Sequence, residues 1–195
     1  MKRGIIAIAV ILSGMVYAGN EGNKGNVDSK TTVKWKGEKV TGEHWGFVSV
    51  KESSVEVEDG MLSAGVFTMD MNSITVEDIE AGSSYNKKLV GHLKSDDFFG
   101  VEAHPTSKFE ITKVIPLEGN KYRITGKLTI KGIEQMLSFP AVIEIDNGML
   151  HAEATLTIDR TKFDVRYGSE TFFGDLKDKA IYDEFEMTLD IHAEI

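Results

Sequence analysis

The chain is 195 residues long, carries 31 acidic against 22 basic residues for a formal net charge of −9, and contains no cysteine. That length is about one domain and suffices to bury a core. The missing cysteines exclude disulfides and a cysteine-linked lipid anchor, and the acidic balance argues against nucleic acid, whose phosphates recruit Lys and Arg.

The first eighteen residues read as an export signal. Lys2 and Arg3 open it, an apolar run follows from Gly4 to Val16, and Val16-Tyr17-Ala18 ends in a small residue. The run is shorter than the roughly 20 residues a membrane span needs. Cleavage after Ala18 is expected, moving the net charge from −9 to −11 by loss of Lys2 and Arg3, and placing the protein in the periplasm or outside the cell. Residues 19–30 are polar and rich in Gly and Asn, and read as a flexible tether. Residues 31–195 form the single domain, with no internal repeat and no membrane span expected.

Within the domain the dominant period is two, the mark of half-buried strands. Phe67 and Met69 alternate with Thr68 and Asp70, and Phe109 and Ile111 flank Glu110. Tyr122, Ile124, Gly126, Leu128 and Ile130 share one face. The pattern repeats in Phe139, Ala141 and Ile143, in Leu150, Ala152, Ala154, Leu156 and Ile158, and in Phe185, Met187, Leu189, Ile191 and Ala193. Asp59-Gly60, Glu118-Gly119-Asn120, Lys131-Gly132 and Asn147-Gly148 separate the runs as tight turns. Long strands joined by tight turns describe an antiparallel meander; alternation alone fits a closed barrel and a β-sandwich equally. Two stretches break the period. Tyr85, Leu89, His92 and Leu93 define one face of a helix over 83–93, capped by Ser83 or Ser84, with a second turn from Ser95. The region 161–179 is irregular and rich in Phe and Gly.

Three segments carry a family resemblance. Gly91-His92-Leu93-Lys94-Ser95-Asp96-Asp97-Phe98-Phe99, then His104-Pro105-Thr106-Ser107-Lys108-Phe109, resembles the signature of the YceI-like family. Gly126-Lys127-Leu128-Thr129-Ile130-Lys131-Gly132 is similar to that family's G-x-L-T-I-K-G strand. Ile158-Asp159-Arg160-Thr161-Lys162-Phe163-Asp164-Val165 resembles its I-x-R-x-x-F-G-V segment, with Asp164 where glycine is frequent. The resemblance runs from about Thr31 to the C-terminus. It implies an all-β fold with short helical insertions, a lipocalin-like antiparallel eight-stranded β-barrel, and binding of isoprenoid or other long-chain lipid outside the cytoplasm.

Barrels of about eight strands are either filled by side chains or hold one small ligand. Patterning leaves both open; the resemblance implies a pocket. Its candidate lining residues are Phe67, Met69, Phe109, Ile111, Phe139, Ile143, Leu156, Phe185, Met187 and Leu189, on the apolar sides of their strands. Met61, Met71 and Met136 are further candidates, because methionine adapts to irregular apolar shapes. Of the five histidines, His44 and His92 are candidates for a ligand head group at the barrel mouth; His151 and His192 fall on polar faces and read as solvated. No histidine pair has metal-ligand spacing, so no metal and no cofactor are expected. Ser84-Tyr85-Asn86-Lys87 matches S-x-x-K but lacks its companion motifs and reads as chance. Arg160 reads as the structural partner of a carboxylate.

The expected function is therefore sequestration, without catalysis, of a long-chain apolar ligand (isoprenoid, quinone precursor or fatty-acid-like lipid). One alternative is an enzyme acting on an isoprenoid or quinone in the same pocket, for which His92 with Asp96 or Asp97 is the cluster to test. The other is a packed-core protein acting through its surface, as a homodimer.

Overall fold

Turn chemistry sets the topology. Asp59-Gly60, Lys131-Gly132 and Asn147-Gly148 all have positive φ at both residues: 52° and 75°, 52° and 75°, 50° and 78°. That is the backbone of the two-residue hairpin turn whose twist matches the flanking strands. A computed structural model describes residues 23–195, so the expected signal segment lies outside the described residues. Its strands are β1 (Asn23–Val27), β2 (Thr32–Lys39), β3 (Gly42–Phe47), β4 (Ser49–Glu58), β5 (Met61–Asp70), β6 (Thr106–Pro116), β7 (Lys121–Ile130), β8 (Ile133–Asp146), β9 (Met149–Asp159) and β10 (Ile181–Glu194).

From β4 to β10 each strand pairs antiparallel with the next. β10 then pairs with β2 and, at its C-terminal end, with β1. β1 pairs with β4 as β2 does with β3, so β1–β2 and β3–β4 act as two interrupted long strands. The result is a closed antiparallel barrel of eight staves, as the family resemblance implies. Closure leaves no long open edge, the standing liability of a meander.

The segment expected as a tether departs from that reading from Asn23 onward, because residues 23–27 are β1. Its polar side chains bury little; its backbone matters, laddering to both β4 and β10. Gly25 permits this, since a Cβ there would collide with the Glu194 carbonyl oxygen.

Between β5 and β6 the chain leaves the sheet. Helix α1 spans Ser84–Lys94, and the Ser83 hydroxyl caps it by accepting from the Asn86 N–H at 3.2 Å. The buried face differs by one position from the expected one. Tyr85 is exposed, and Asn86 is buried beside Leu93. The Asn86 amide donates to the carbonyls of Val76 and Ile79 at 2.8 and 3.1 Å, satisfying an extended segment with no sheet partner on that side. Leu89, Val90 and Leu93 then pack with Ile74, Val76, Phe98 and Val101 against barrel residues Val33, Val48 and Ile191. A second cluster, with Val55, Leu62, Ile124, Phe139, Ile143 and Leu150, fills another part of the barrel. After β9 come a 3-10 turn (Arg160–Phe163) and a short helix α2 (Glu170–Phe173).

Candidate functional site

Inside the barrel lies an apolar cavity of about 240 Å³. An apolar void of about 150 Å³ already stays dry and accepts benzene, so this is well beyond a packing defect. All ten residues picked from strand alternation line it: Phe67 and Met69 from β5, Phe109 and Ile111 from β6, Phe139 and Ile143 from β8, Leu156 from β9, and Phe185, Met187 and Leu189 from β10. Phe139 and Ile143 are buried, whereas the other eight keep partial accessibility although they point inward. Their exposed surface faces the cavity. Small residues make the room: Ala152 and Ala154 on β9 and Ala141 on β8 also border it.

The methionines divide. Met69, Met71 and Met187 line the cavity, while Met61 and Met136 are 44% and 59% exposed. For Met61 the cause is a bulge: Val57 pairs with Leu62 and Glu56 with Ala64, leaving Ser63 unmatched and switching the inward face. Leu62, not Met61, thus points in. Met136 is on the outward parity of β8, opposite to Phe139 and Ile143.

Sequence reading did not single out Val33 and Trp35 on β2, or Phe98 and Phe99 after α1, which also line the cavity. Val33, Trp35 and Gly37 alternate with Lys34 and Lys36, so the signal for β2 was present. Trp35 is held by its indole N–H, which donates to the Thr75 carbonyl at 3.2 Å.

Two polar groups that border the cavity are buried, Ser107 and Arg160. Arg160 reaches the expected carboxylate, that of Asp183, but its shorter bonds go to backbone carbonyls. Its guanidinium donates to four carbonyls, those of Val165, Ile181, Tyr167 and Tyr182, at 2.8, 2.8, 2.9 and 3.0 Å. Its contact with Asp183 is the longest, at 3.5 Å. Burial pulls the Arg160 pKa down, opposed by the charges of Asp183 and Asp159; arginine stays protonated throughout. The residue ties the irregular 161–179 excursion to the start of β10.

The two histidines proposed for a head group do not line the cavity. His44 Nδ1 lies 2.7 Å from an Asp78 carboxylate oxygen, whose other oxygen accepts the Trp45 N–H at 3.0 Å. His92 stands edge-on to Phe98 and Tyr167, with ring centroids 5.0 and 4.4 Å away. Phe98 itself lines the cavity, so His92 stands behind its wall. Its Nε2 is 3.6 Å from Asp97, whose side chain is 64% exposed, so the cluster considered for catalysis stands outside the pocket. Ser84 and Lys87 are exposed and do not line the cavity either.

Similarity to known proteins decides the family of this barrel. The model of the YceI-like domain matches residues 26–193. The chain belongs to the YceI-like family. A UPF0312 protein of Photorhabdus laumondii is 48% identical over 42 residues, 22% of this chain; the match spans only 21% of that relative's length. Among solved structures, BcnA of Burkholderia cenocepacia superposes with a TM-score of 0.68 at 22% identity, covering 85% of this chain and 98% of that one. A polyisoprenoid-binding domain from Saccharophagus degradans gives a TM-score of 0.63 at 11% identity, covering 87% and 97%. The YceI protein of Campylobacter jejuni gives 0.58 at 18% identity, covering 76% and 84%. At these identities the structures share the fold. The YceI-like pattern also explains Asp164: at φ 59° and ψ 29° it occupies the left-handed region that glycine adopts freely and aspartate tolerates.

Proposed function

We propose that this YceI-like barrel binds and shields one long apolar chain, of isoprenoid, quinone-precursor or fatty-acid type, in its interior. The observation that carries the reading is the set of inward apolar side chains that remain partly accessible around a 240 Å³ cavity. The polyisoprenoid-binding neighbour supports the same ligand class. The volume equals about eight water-sized units at about 30 Å³ each, room for a chain segment of about eight carbons. Burial of eight methylenes yields about 6 kcal/mol at about 0.8 each, within the roughly 4–15 kcal/mol that association costs. Tight retention therefore requires a longer ligand that displaces the flexible Met69, Met71 and Met187. No catalytic step is assigned. The experiment is displacement of a fluorescent fatty acid by unlabelled isoprenoid alcohols and fatty acids. Stoichiometric displacement supports the reading, and failure to take up the probe at all contradicts it.

We further propose that the protein is exported and cut after Ala18. The support is the Lys2-Arg3 start, the short apolar run and the small residue at position 18. Among the described residues no helix is long and apolar enough to cross a membrane. An intact mass beginning at Gly19 is expected; one beginning at Met1 contradicts cleavage.

A further inference from the structure

On the barrel exterior, strand register brings His151 beside Asp190 and His192, which lie two residues apart on one face of β10. His151 on β9 and His192 on β10 are direct cross-strand partners. Their rings stack with centroids 4.3 Å apart and planes 15° from parallel. Both Nε2 atoms face one oxygen of Asp190, at 2.8 and 3.0 Å. One ligand atom from each residue lies within 4.8 Å of the other two. We infer that His151, Asp190 and His192 form a binding site for a divalent transition-metal cation of the zinc class.

Three arguments support this beyond proximity. The first is donor chemistry. Two imidazole nitrogens and one carboxylate suit zinc, cobalt, nickel or copper, whereas magnesium and calcium prefer oxygen donors throughout. Three protein ligands leave a coordination position for water, as in open zinc sites.

The second is charge. Glu153 is the cross-strand partner of Asp190, and Glu144 is the partner of His151 on β8. Like charges placed directly opposite across a ladder destabilise it, and a cation between the strands relieves that repulsion. The acidic surroundings also concentrate cations at the site.

The third is rigidity. The His192 backbone is clamped by the turn between β1 and β2. The Thr31 hydroxyl donates to the His192 carbonyl at 3.0 Å and accepts its N–H at 2.9 Å, and the Asp28 N–H donates to the same carbonyl at 2.8 Å. Ligands carried on paired strands hold their geometry better than ligands on loops. All three side chains are partly exposed, so an ion has access from solvent.

The test uses the full untagged chain, stripped with a chelator and titrated with zinc against a chromophoric indicator. Cobalt serves as a spectroscopic probe and magnesium as the hard-ion control. One zinc per chain is expected, with a cobalt d–d spectrum and no competition from magnesium. His151→Ala and His192→Ala should each weaken zinc binding by about tenfold or more. His104→Ala should leave it unchanged, and all three variants should keep the wild-type far-UV spectrum because the residues lie outside the core clusters. The inference is overturned if the wild-type chain binds no zinc up to about 1 mM. It is equally overturned if the two variants bind as tightly as wild type, or if His104→Ala loses as much affinity as they do.

Discussion

Gly126 and Phe109 share one space: the aromatic ring of Phe109, on β6, lies over the bare Cα of Gly126, on β7. A Cβ at Gly126 would overlap that ring and stand 2.6 Å from the Glu110 carbonyl oxygen. Phe109 in turn packs against Phe139 at 5.7 Å between centroids and forms part of the cavity wall. Gly126→Ala is expected to destabilise the protein by about 1–3 kcal/mol, the usual range for overpacking. It should also lower ligand capacity by pushing the ring inward. Urea denaturation beside probe uptake measures both effects; an unaltered midpoint contradicts the packing described.

Arg160 is predicted to be indispensable to the fold. Removing its guanidinium leaves four carbonyls without their donor, and breaking such a buried network typically costs about 3–5 kcal/mol. Arg160→Lys should recover little, because an ammonium has three donors and cannot reproduce the planar fork. Thermal unfolding of Arg160→Met and Arg160→Lys checks this. A lysine variant as stable as wild type would show that charge, rather than the fork, is what matters.

The His44–Asp78 pair contributes to stability in a defined pH window. Burial acts to raise the Asp78 pKa, but the bonds from His44 and the Trp45 N–H outweigh it and hold the carboxyl below its ordinary 3.8. A carboxyl whose folded pKa is depressed contributes fully above its unfolded pKa and loses that contribution as pH falls through the folded value. Asp78→Asn should therefore be less stable than wild type at pH 5 to 7, and the difference should shrink below about pH 4. Acid unfolding of both proteins gives the curve; a gap that persists or widens at low pH contradicts the assignment.

Much of the barrel was legible in the sequence because its causes are local. Period-two alternation picked out ten residues that all line the cavity, and Asn147-Gly148 announced a turn that only positive φ can make. What stayed hidden depends on distant partners. Asn23–Val27 has no strand signature of its own and becomes β1 because β4 and β10 offer it ladders. Met61 was expected inside, but the unmatched Ser63 moves the inward face to Leu62. Asn86 lies off the expected helix face and is buried because the carbonyls of Val76 and Ile79 accept its amide. His151 and His192 were read as separate solvated side chains, since only the β9–β10 register makes them neighbours.

Ligand affinity should rise with chain length and then level off. Each added methylene that enters the cavity contributes about 0.8 kcal/mol, which is about fourfold in Kd. Saturated fatty acids of increasing length, competed against a fluorescent probe, should show that slope until the interior is full. Met187→Ala enlarges the cavity and should move the plateau to longer chains. Affinity independent of chain length would place the binding surface elsewhere.

We propose that the hollow barrel is occupied in the cell by one apolar chain. This occupancy is tested most directly by native mass spectrometry and organic extraction of the protein purified from its own cells, beside the stability of two variants. One long-chain apolar molecule per chain is expected. Met187→Ala, at the cavity wall, should lose less than the roughly 2–5 kcal/mol typical of a packed core. Phe163→Ala, only 1% exposed and not on the wall, should lose the full 3–5 or so. A protein that carries no lipid and takes none up, with Met187→Ala paying the full core penalty, would mean a filled barrel and would contradict the account.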